Sequence, residues 1–267
     1  MILLLLGWFL HISTVLYIGV VLLVIGAVFW VLGSRRLQLL CAWCGPATVA
    51  VALTGWLIAG VLPLPLGASS TTAEVVDFYS EPRVIPGLIL AQLGVCLVLP
   101  LIALIGYHML RMDGRYPLLS LVQLVSGAVT GVLLLIPMMI MTVCAFRPDR
   151  NPELTVTLND LAWLLFLTPI APFMIQNIAI GTAILRDPDK RLPRWLGYTN
   201  FWIAASFLPD PLAYIFHSGP FAWHGILVFW LALTTYTVFL VAMGLTLRSA
   251  VLQSTADSER RPIEVSA

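Results

Sequence analysis

Apolar stretches of about 20 residues or more recur along this 267-residue chain and are separated by short polar loops. A helix needs about 20 mainly apolar residues to cross a bilayer, so each stretch predicts one membrane span. The stretches are 10–32, 44–65, 84–110, 117–146, 160–185, 195–216 and 221–250. Charged residues make up 10% of the chain, whereas soluble domains carry about 25%. The sequence therefore predicts an all-α polytopic membrane bundle of seven transmembrane helices.

The spans follow one another too closely to leave room for a soluble domain, so residues 1–252 are predicted to form a single transmembrane domain. Met1–Leu10 is apolar and lacks a basic region, and no small-residue cleavage site follows it. This favours an uncleaved first span over a signal peptide. The polar residues 253–267 predict a disordered cytoplasmic tail.

Basic residues are distributed unequally between alternate loops. Of the 14 Lys and Arg residues, 11 follow spans one, three, five and seven. Cytoplasmic loops of membrane proteins carry an excess of Lys and Arg. We therefore expect a multi-pass protein of the cell membrane with its N-terminus outside and its C-terminus inside. The loops 66–83 and 147–159 would then face outward.

The span within Leu158–Arg186 is unusual because it contains Pro169 and Pro172 and then Gln176 and Asn177. A proline inside a helix frees a backbone carbonyl, and hydrocarbon offers that carbonyl no partner. Helical spacing places Asn177 on one face with four apolar residues. They are Trp163, Phe166, Ile170 and Phe173. This face is either an aromatic wall with one polar anchor or a packing surface with one interhelical hydrogen bond.

Ionisable residues are predicted to gather in the outer half of the membrane. Asp160 begins span five on the outer side, and Asp210 lies near the outer end of span six between two prolines. His217, His224 and His11 are predicted at a similar depth. Such a group suits acid–base chemistry or ligand binding, and we expect Asp160 and Asp210 to approach each other or a shared cavity. The alternatives are a helix cap at Asp160, a hydrated helix end at Asp210 and interfacial histidines.

The candidate pocket residues are therefore Asp160, Asn177, Asp210 and His224, and no catalytic residue is assigned. No metal site is predicted, because the sequence contains no H-x-x-x-H or H-E-x-x-H pattern. We also predict no cofactor, since no phosphate-binding glycine motif and no helical pair of histidines is present. Nucleic-acid binding is excluded, because the basic residues lie in loops without interleaved aromatics.

Cys41 and Cys44 form a C-x-x-C pattern, a spacing found in redox proteins. The alternative is that they are two small apolar residues at the beginning of a helix. The predicted topology places both thiols on the cytoplasmic side, where they stay reduced. Cys96 and Cys144 do not form a second pair that would relay electrons, so the sequence favours the structural interpretation.

Several short motifs carry a resemblance to a known group. They are Trp43–Pro46, Ala145–Arg150, Leu158–Trp163, Pro193–Tyr198 and Gly219–Gly225. From about residue 36 to 251 the chain resembles actinobacterial, notably mycobacterial, multi-pass integral membrane proteins of unassigned function. The resemblance implies a core of six spans at 36–251, with residues 1–33 as an added span. It implies no activity, cofactor or catalytic residue.

Two functions remain open at the level of the sequence. In the first, the outer half of the bundle binds, moves or modifies a small apolar molecule or a membrane lipid. In the second, the protein is a non-catalytic partner of other membrane proteins in an envelope complex, and its polar residues only hold helices together. A cavity reaching Asp210 would favour the first, and a sealed bundle would favour the second.

Overall fold

The computed structural model describes residues 34–114, 116–147 and 149–260, with side chains up to Gln253. The predicted span 10–32 and His11 lie outside the described residues. The chain divides into two compact units, Met1–Leu40 and Cys41–Ala267. Of the first unit, the structure describes only Ser34–Leu40, which begins helix α1. The packing described below is that of the second unit.

Every regular element in the described ranges is helical. In chain order these are α1 Ser34–Ala59, α2 Thr72–Ser80, α3 Val84–Cys96, α4 Val98–Met112, α5 Leu118–Phe146, α6 Pro152–Leu167, α7 Ala171–Arg186, α8 Arg194–Ser206, a 3₁₀ helix Asp210–Tyr214, a π-helix Ile226–Trp230 and α9 Leu231–Arg260. The predicted all-α class is therefore confirmed. Of the described chain, five segments are long and apolar enough to cross a membrane: Ser34–Ala59, Val84–Met112, Leu118–Phe146, Pro152–Arg186 and Ile226–Gln253.

Several boundaries differ from the predicted spans. Helix α1 begins at Ser34 rather than near residue 44, so Arg35 and Arg36 belong to its first turn. Helix α6 begins at Pro152, where the fixed φ of proline suits the first helical position, and Asn151 caps it. The prediction that Asp160 starts a span was wrong, since Asp160 lies about 12 Å along the helix. Helix α9 continues to Arg260, where a tail was predicted, because no proline interrupts the chain before Pro262.

Regular α-helix is interrupted at three places that matter for the site. The segment 152–186 breaks between α6 and α7 at Pro169, as its prolines indicate. Helix α8 has only 13 residues and ends at Ser206, after which Pro209 and Pro211 flank Asp210 at the start of the 3₁₀ helix. The last segment begins with the π-helix Ile226–Trp230. Non-α turns of this kind are frequent at functional sites.

Helices α1 and α3 approach each other closely along a seam of small residues. The seam consists of Ala52, Gly55 and Ala59 on α1 and Gly87, Ala91 and Gly94 on α3. A Cβ added at Gly55 would lie 2.6 Å from the carbonyl oxygen of Gly87, and one added at Gly94 would lie 2.5 Å from the backbone nitrogen of Ala52. Small residues let membrane helices pack backbone to backbone. The seam fixes the position of the adjacent Trp56.

Hydrogen bonds between residues that are far apart in the sequence show which parts of the chain share an end of the bundle. Trp223 donates to the carbonyl oxygen of Leu66 at 2.8 Å, and the Tyr79 hydroxyl donates to Asn159 at 2.9 Å. The α1–α3 connection, the N-terminal half of α6 and the turn before the π-helix therefore lie together. At the opposite end, Asp113 accepts from Ser120, and Asp187 pairs with Arg191 at 2.8 Å.

Candidate functional site

A partly open cavity of about 80 Å³ lies where the helix breaks meet. Its wall comes from five parts of the chain: α1, α5, the break between α6 and α7, the turn at Asp210 and the last span. The lining residues are Trp56, Thr130, Leu133, Leu134, Phe166, Leu167, Pro169, Ile170, Phe173, Phe207, Asp210, Phe229, Ala232, Leu233 and Tyr236. Thr130 to Leu134 are at mid-length of α5, so the cavity extends from the middle of the bundle toward the end that carries the α1–α3 connection. We call it the central cavity.

Asp210 supplies the only carboxylate among these lining residues. Its side chain is completely buried, and neither Oδ1 nor Oδ2 has a hydrogen-bond partner in the described chain. The flanking prolines and the 3.1 Å bond from its own N–H to the Phe207 carbonyl set the turn that holds it inward. Buried polar groups are nearly always paired. Six other buried side chains in the described chain have one unpartnered polar atom each, but Asp210 is the only carboxylate among them and has two.

Aromatic rings form two groups on the wall of the central cavity. In the first, Trp56 packs edge-on against Phe166 at 5.5 Å and stacks with Phe229 at 5.9 Å. The indole N–H of Trp56 is also buried without a partner. In the second group, Phe173 lies 4.7 Å from Phe207 and 5.0 Å from Tyr236, measured between ring centroids. The cavity is therefore mainly apolar, and the Asp210 carboxylate and the Trp56 N–H are polar groups on its wall that are buried without a partner in the described chain.

A second cavity of about 60 Å³ adjoins the central cavity. The two share five wall residues, which are Trp56, Leu134, Phe166, Leu233 and Tyr236. The second cavity is otherwise lined mainly by apolar side chains of α1, α3, α5 and α9, with Thr48 and Thr237 as its polar members. Trp56 and Tyr236 therefore lie between the central cavity, which is lined by the Asp210 carboxylate, and the second cavity, which has no carboxylate on its wall.

The structure does not place Asp160 in the central cavity. Its carboxylate accepts from the amide of Asn159 at 3.3 Å and interacts electrostatically with His217. Asn159 is buried, and its Oδ1 accepts a hydrogen bond from the Tyr79 hydroxyl on α2. Asp160 is half-buried and lies more than two turns into α6, which begins eight residues before it. It belongs to a polar network that fixes α2 on α6.

His224 is also separate from the central cavity and holds a loop. Its Nδ1 accepts the backbone N–H of Ala68 at 3.2 Å, and its ring packs on Gly67. Burial lowers the pKa of His224, which agrees with a neutral ring that accepts at Nδ1. Together with Trp223, this residue anchors the loop that follows α1.

Asn177 lies on α7 toward α8, outside the central cavity. Gly181 and Gly197 face each other at the crossing of these antiparallel helices, since a Cβ at Gly181 would lie 2.9 Å from the Gly197 carbonyl oxygen. This register sets Asn177 level with Asn200. Each amide donates to its own helix, to the carbonyls of Phe173 and Leu196 respectively. The position gives part of the packing alternative for Asn177, because the break at Pro169 separates it from Trp163 and Phe166 on α6. The expected interhelical hydrogen bond is absent, since the Asn177 amide bonds to its own helix and its Oδ1 has no partner in the described chain.

Of the four predicted pocket residues, therefore, only Asp210 lines the central cavity. The sequence did not single out Trp56, Phe229 or Tyr236. No local pattern distinguishes them from other aromatic residues in apolar spans. The π-helix, which turns Phe229 inward, has no signature in the sequence. Only the Gly55–Trp56 pair offered a signal, since a glycine beside a tryptophan in a span indicates close packing.

Cys41 and Cys44 are half-buried, unbonded and one turn apart on α1, where they pack against apolar side chains. Within the described chain, no three His, Cys, Asp or Glu side chains are grouped in a way that could hold a metal ion. Asp210 is therefore the single acidic side chain of the central cavity and has no metal-ligating group beside it on the cavity wall.

The sequence matches no protein-family model, no curated protein and no solved structure. The resemblance to actinobacterial membrane proteins accordingly stays a prediction, and the function has to be argued from the central cavity itself.

Proposed function

We propose that this protein binds a small apolar molecule or a single lipid from the membrane in the central cavity, in order to move or modify it. The observation that supports the proposal is the pair of unpartnered carboxylate oxygens of Asp210 inside an apolar, partly open cavity. A charged group in a membrane is costly and usually marks a substrate path or a ligand site. A bundle that only had to hold its helices together would have a partner for Asp210 within the chain.

The proposal includes seven spans with the N-terminus outside and the C-terminus inside. Helix α8 and the 3₁₀ turn at Asp210 together form the sixth crossing, which is broken rather than continuous. The excess of basic residues near the 113–117 and 187–193 connections supports the assignment of that end to the cytoplasm. The central cavity then extends from the membrane centre into the outer half.

This topology predicts opposite accessibility for two exposed positions. A cysteine at Ser69, in the α1–α3 connection, should react with a membrane-impermeant maleimide added to intact cells. A cysteine at Gln253, near the end of α9, should react only after permeabilisation. Both residues are exposed in the described structure, so access is set by the membrane alone. Labelling of Gln253→Cys in intact cells, with Ser69→Cys protected, would invert the proposed orientation.

The binding proposal is tested by the molecules that co-purify with the protein. Mass spectrometry of extracts should find a lipid-like or small apolar compound with the wild-type protein. Ala232→Leu places an isobutyl group in the central cavity and should reduce that compound at least about tenfold, a loss of about 1.4 kcal/mol. Ala205→Leu, an exposed change on α8, serves as the control and should leave it unchanged. Equal recovery from all three proteins would contradict binding in this cavity.

A second function, as a partner of another membrane protein, is favoured by one observation on α8. Trp195, Tyr198 and Trp202 recur at helical spacing and remain 53%, 60% and 56% exposed. Aromatic residues are enriched at protein interfaces as well as at membrane surfaces. If Ala232→Leu has no effect on the co-purified compounds, and Trp202→Ala releases a bound protein, the partner function replaces the first.

A further inference from the structure

We propose that the ligand of the central cavity is an organic cation, an apolar molecule that carries a protonated amine, with its nitrogen at Asp210. This inference rests on the proposed function and names the chemical class of the ligand. It is carried by two features on the cavity wall, the unpartnered carboxylate and the set of aromatic rings around it. The neighbouring cavity indicates the shape of the rest of the molecule.

The carboxylate of Asp210 has no positive partner on the cavity wall. None of the lining residues is a Lys, Arg or His, and neither carboxylate oxygen accepts a hydrogen bond in the described chain. An ionised carboxylate in apolar surroundings is strongly destabilised unless it is paired. A ligand ammonium group supplies both the opposite charge and N–H donors, so it compensates the cost that the empty site incurs.

The ring composition of the cavity supports the same ligand class. Six lining residues are aromatic: Trp56, Phe166, Phe173, Phe207, Phe229 and Tyr236. Aromatic faces carry negative potential and attract ammonium groups, most strongly where water is excluded. Arg111, Arg147 and Arg248 lie over the rings of Tyr107, Phe146 and Trp43, and none of those rings lines the cavity. The chain thus lines the cavity of Asp210 with aromatic rings and places no cation of its own on the wall.

A metal ion fits this site less well than an amine. Hard cations such as Ca²⁺ and Mg²⁺ require about six oxygen ligands, whereas Asp210 is the single carboxylate of the cavity. The remaining wall is aromatic and aliphatic apart from Thr130. An amine needs only one carboxylate and gains from the rings.

The adjoining cavity indicates where the apolar part of the ligand lies. It begins at the shared wall of Trp56 and Tyr236 and continues between aliphatic side chains such as Val49, Leu53 and Leu240. A short alkyl or aryl group that extends from the ammonium would lie past Trp56 in this space. Neither cavity has a Lys, Arg or His on its wall that could pair with a phosphate, so the ligand is a compact lipophilic amine rather than a zwitterionic lipid headgroup.

The experiment compares benzylamine with benzyl alcohol, which share size and shape but differ in charge at neutral pH. Full-length protein in detergent is incubated with radiolabelled benzylamine, and each compound is tested as the competitor. For the wild-type protein we expect benzylamine to compete at least about tenfold better than benzyl alcohol. Asp210→Asn should abolish this preference and Asp210→Glu should retain it. Asp160→Asn, which removes a carboxylate outside the cavity, should leave it unchanged.

The other results separate this inference from the proposed function. If both compounds compete equally and Ala232→Leu weakens both, the cavity binds apolar molecules without regard to charge, and the cation inference is overturned while the function stands. If the preference survives Asp210→Asn, or is lost in Asp160→Asn, the charge that attracts the amine lies elsewhere and the inference is again overturned. Absence of saturable benzylamine binding overturns it as well, and the co-purification result then decides the function independently. Thermal unfolding of each variant confirms that the compared proteins are folded.

Discussion

Replacing Gly87 by alanine is expected to destabilise the protein by about 3 kcal/mol or more, the upper part of the range for overpacking. The added Cβ would lie 2.7 Å from both the Cα of Ala59 and the carbonyl oxygen of Gly55. These are backbone atoms of α1, so no side-chain rotation relieves the clash and the two helices have to separate. Trp56, next to Gly55, would then move away from the central cavity. The expected readout is a low yield of folded protein and a lower melting temperature.

Gly131→Ala on α5 is the matched control for this substitution. A Cβ there would lie 3.0 Å from Cδ2 of Leu99, the end of a side chain that is 48% exposed and free to shift. Alanine also favours a helix over glycine by about 1 kcal/mol, so this variant should be as stable as the wild type or more stable. Equal melting temperatures for Gly87→Ala and Gly131→Ala would contradict the close packing of α1 on α3.

Asp210→Leu is expected to stabilise the ligand-free protein by about 1–3 kcal/mol, the usual cost of leaving a buried polar group unpaired. Leucine fits the apolar wall and removes two carboxylate oxygens that have no partner. Most substitutions of buried residues destabilise, so a gain of stability here would show that Asp210 is kept for binding at the expense of the fold. The measurement is thermal or denaturant unfolding in detergent after bound lipid has been washed out.

The same change at Asp160 provides the comparison. Asp160→Leu removes an acceptor of the Asn159 amide and a charge that faces His217, so it should destabilise or have little effect. Equal destabilisation by Asp160→Leu and Asp210→Leu would mean that Asp210 has structural partners after all, and the case for a ligand site would fail.

The class of fold followed from the sequence because the length of an apolar run and the thickness of a bilayer together predict a spanning helix. The ends of the helices were less predictable. Arg35 and Arg36 suggest a loop in the sequence, yet they occupy the first turn of α1, because arginine has a high helix propensity. The start of α6 at Pro152 is hard to predict because the polar residues among 153–159 are typical of a loop, although Asn151 caps the helix and Pro152 suits its first turn.

Asp210 was predicted as a site residue because an acid between two prolines in an apolar stretch is costly and unusual. The grouping of Asp160, Asn177 and His224 with it relied on depth in the membrane alone. Depth does not determine which side of a helix a residue occupies, and each of these side chains is directed to a different neighbour. The inward turns of Phe229 and Tyr236 depend on tertiary packing, which a single sequence does not reveal.

The central claim is that the central cavity holds a small molecule against Asp210. The most direct measurement is a cryo-electron microscopy map of the protein purified in native lipid nanodiscs, with Asp210→Leu prepared in parallel. We predict non-protein density within hydrogen-bond distance of the Asp210 carboxylate in the wild type, extending past Trp56, and none in the variant. A wild-type map in which Asp210 is paired with another part of the chain, with side chains filling the cavity, would contradict it.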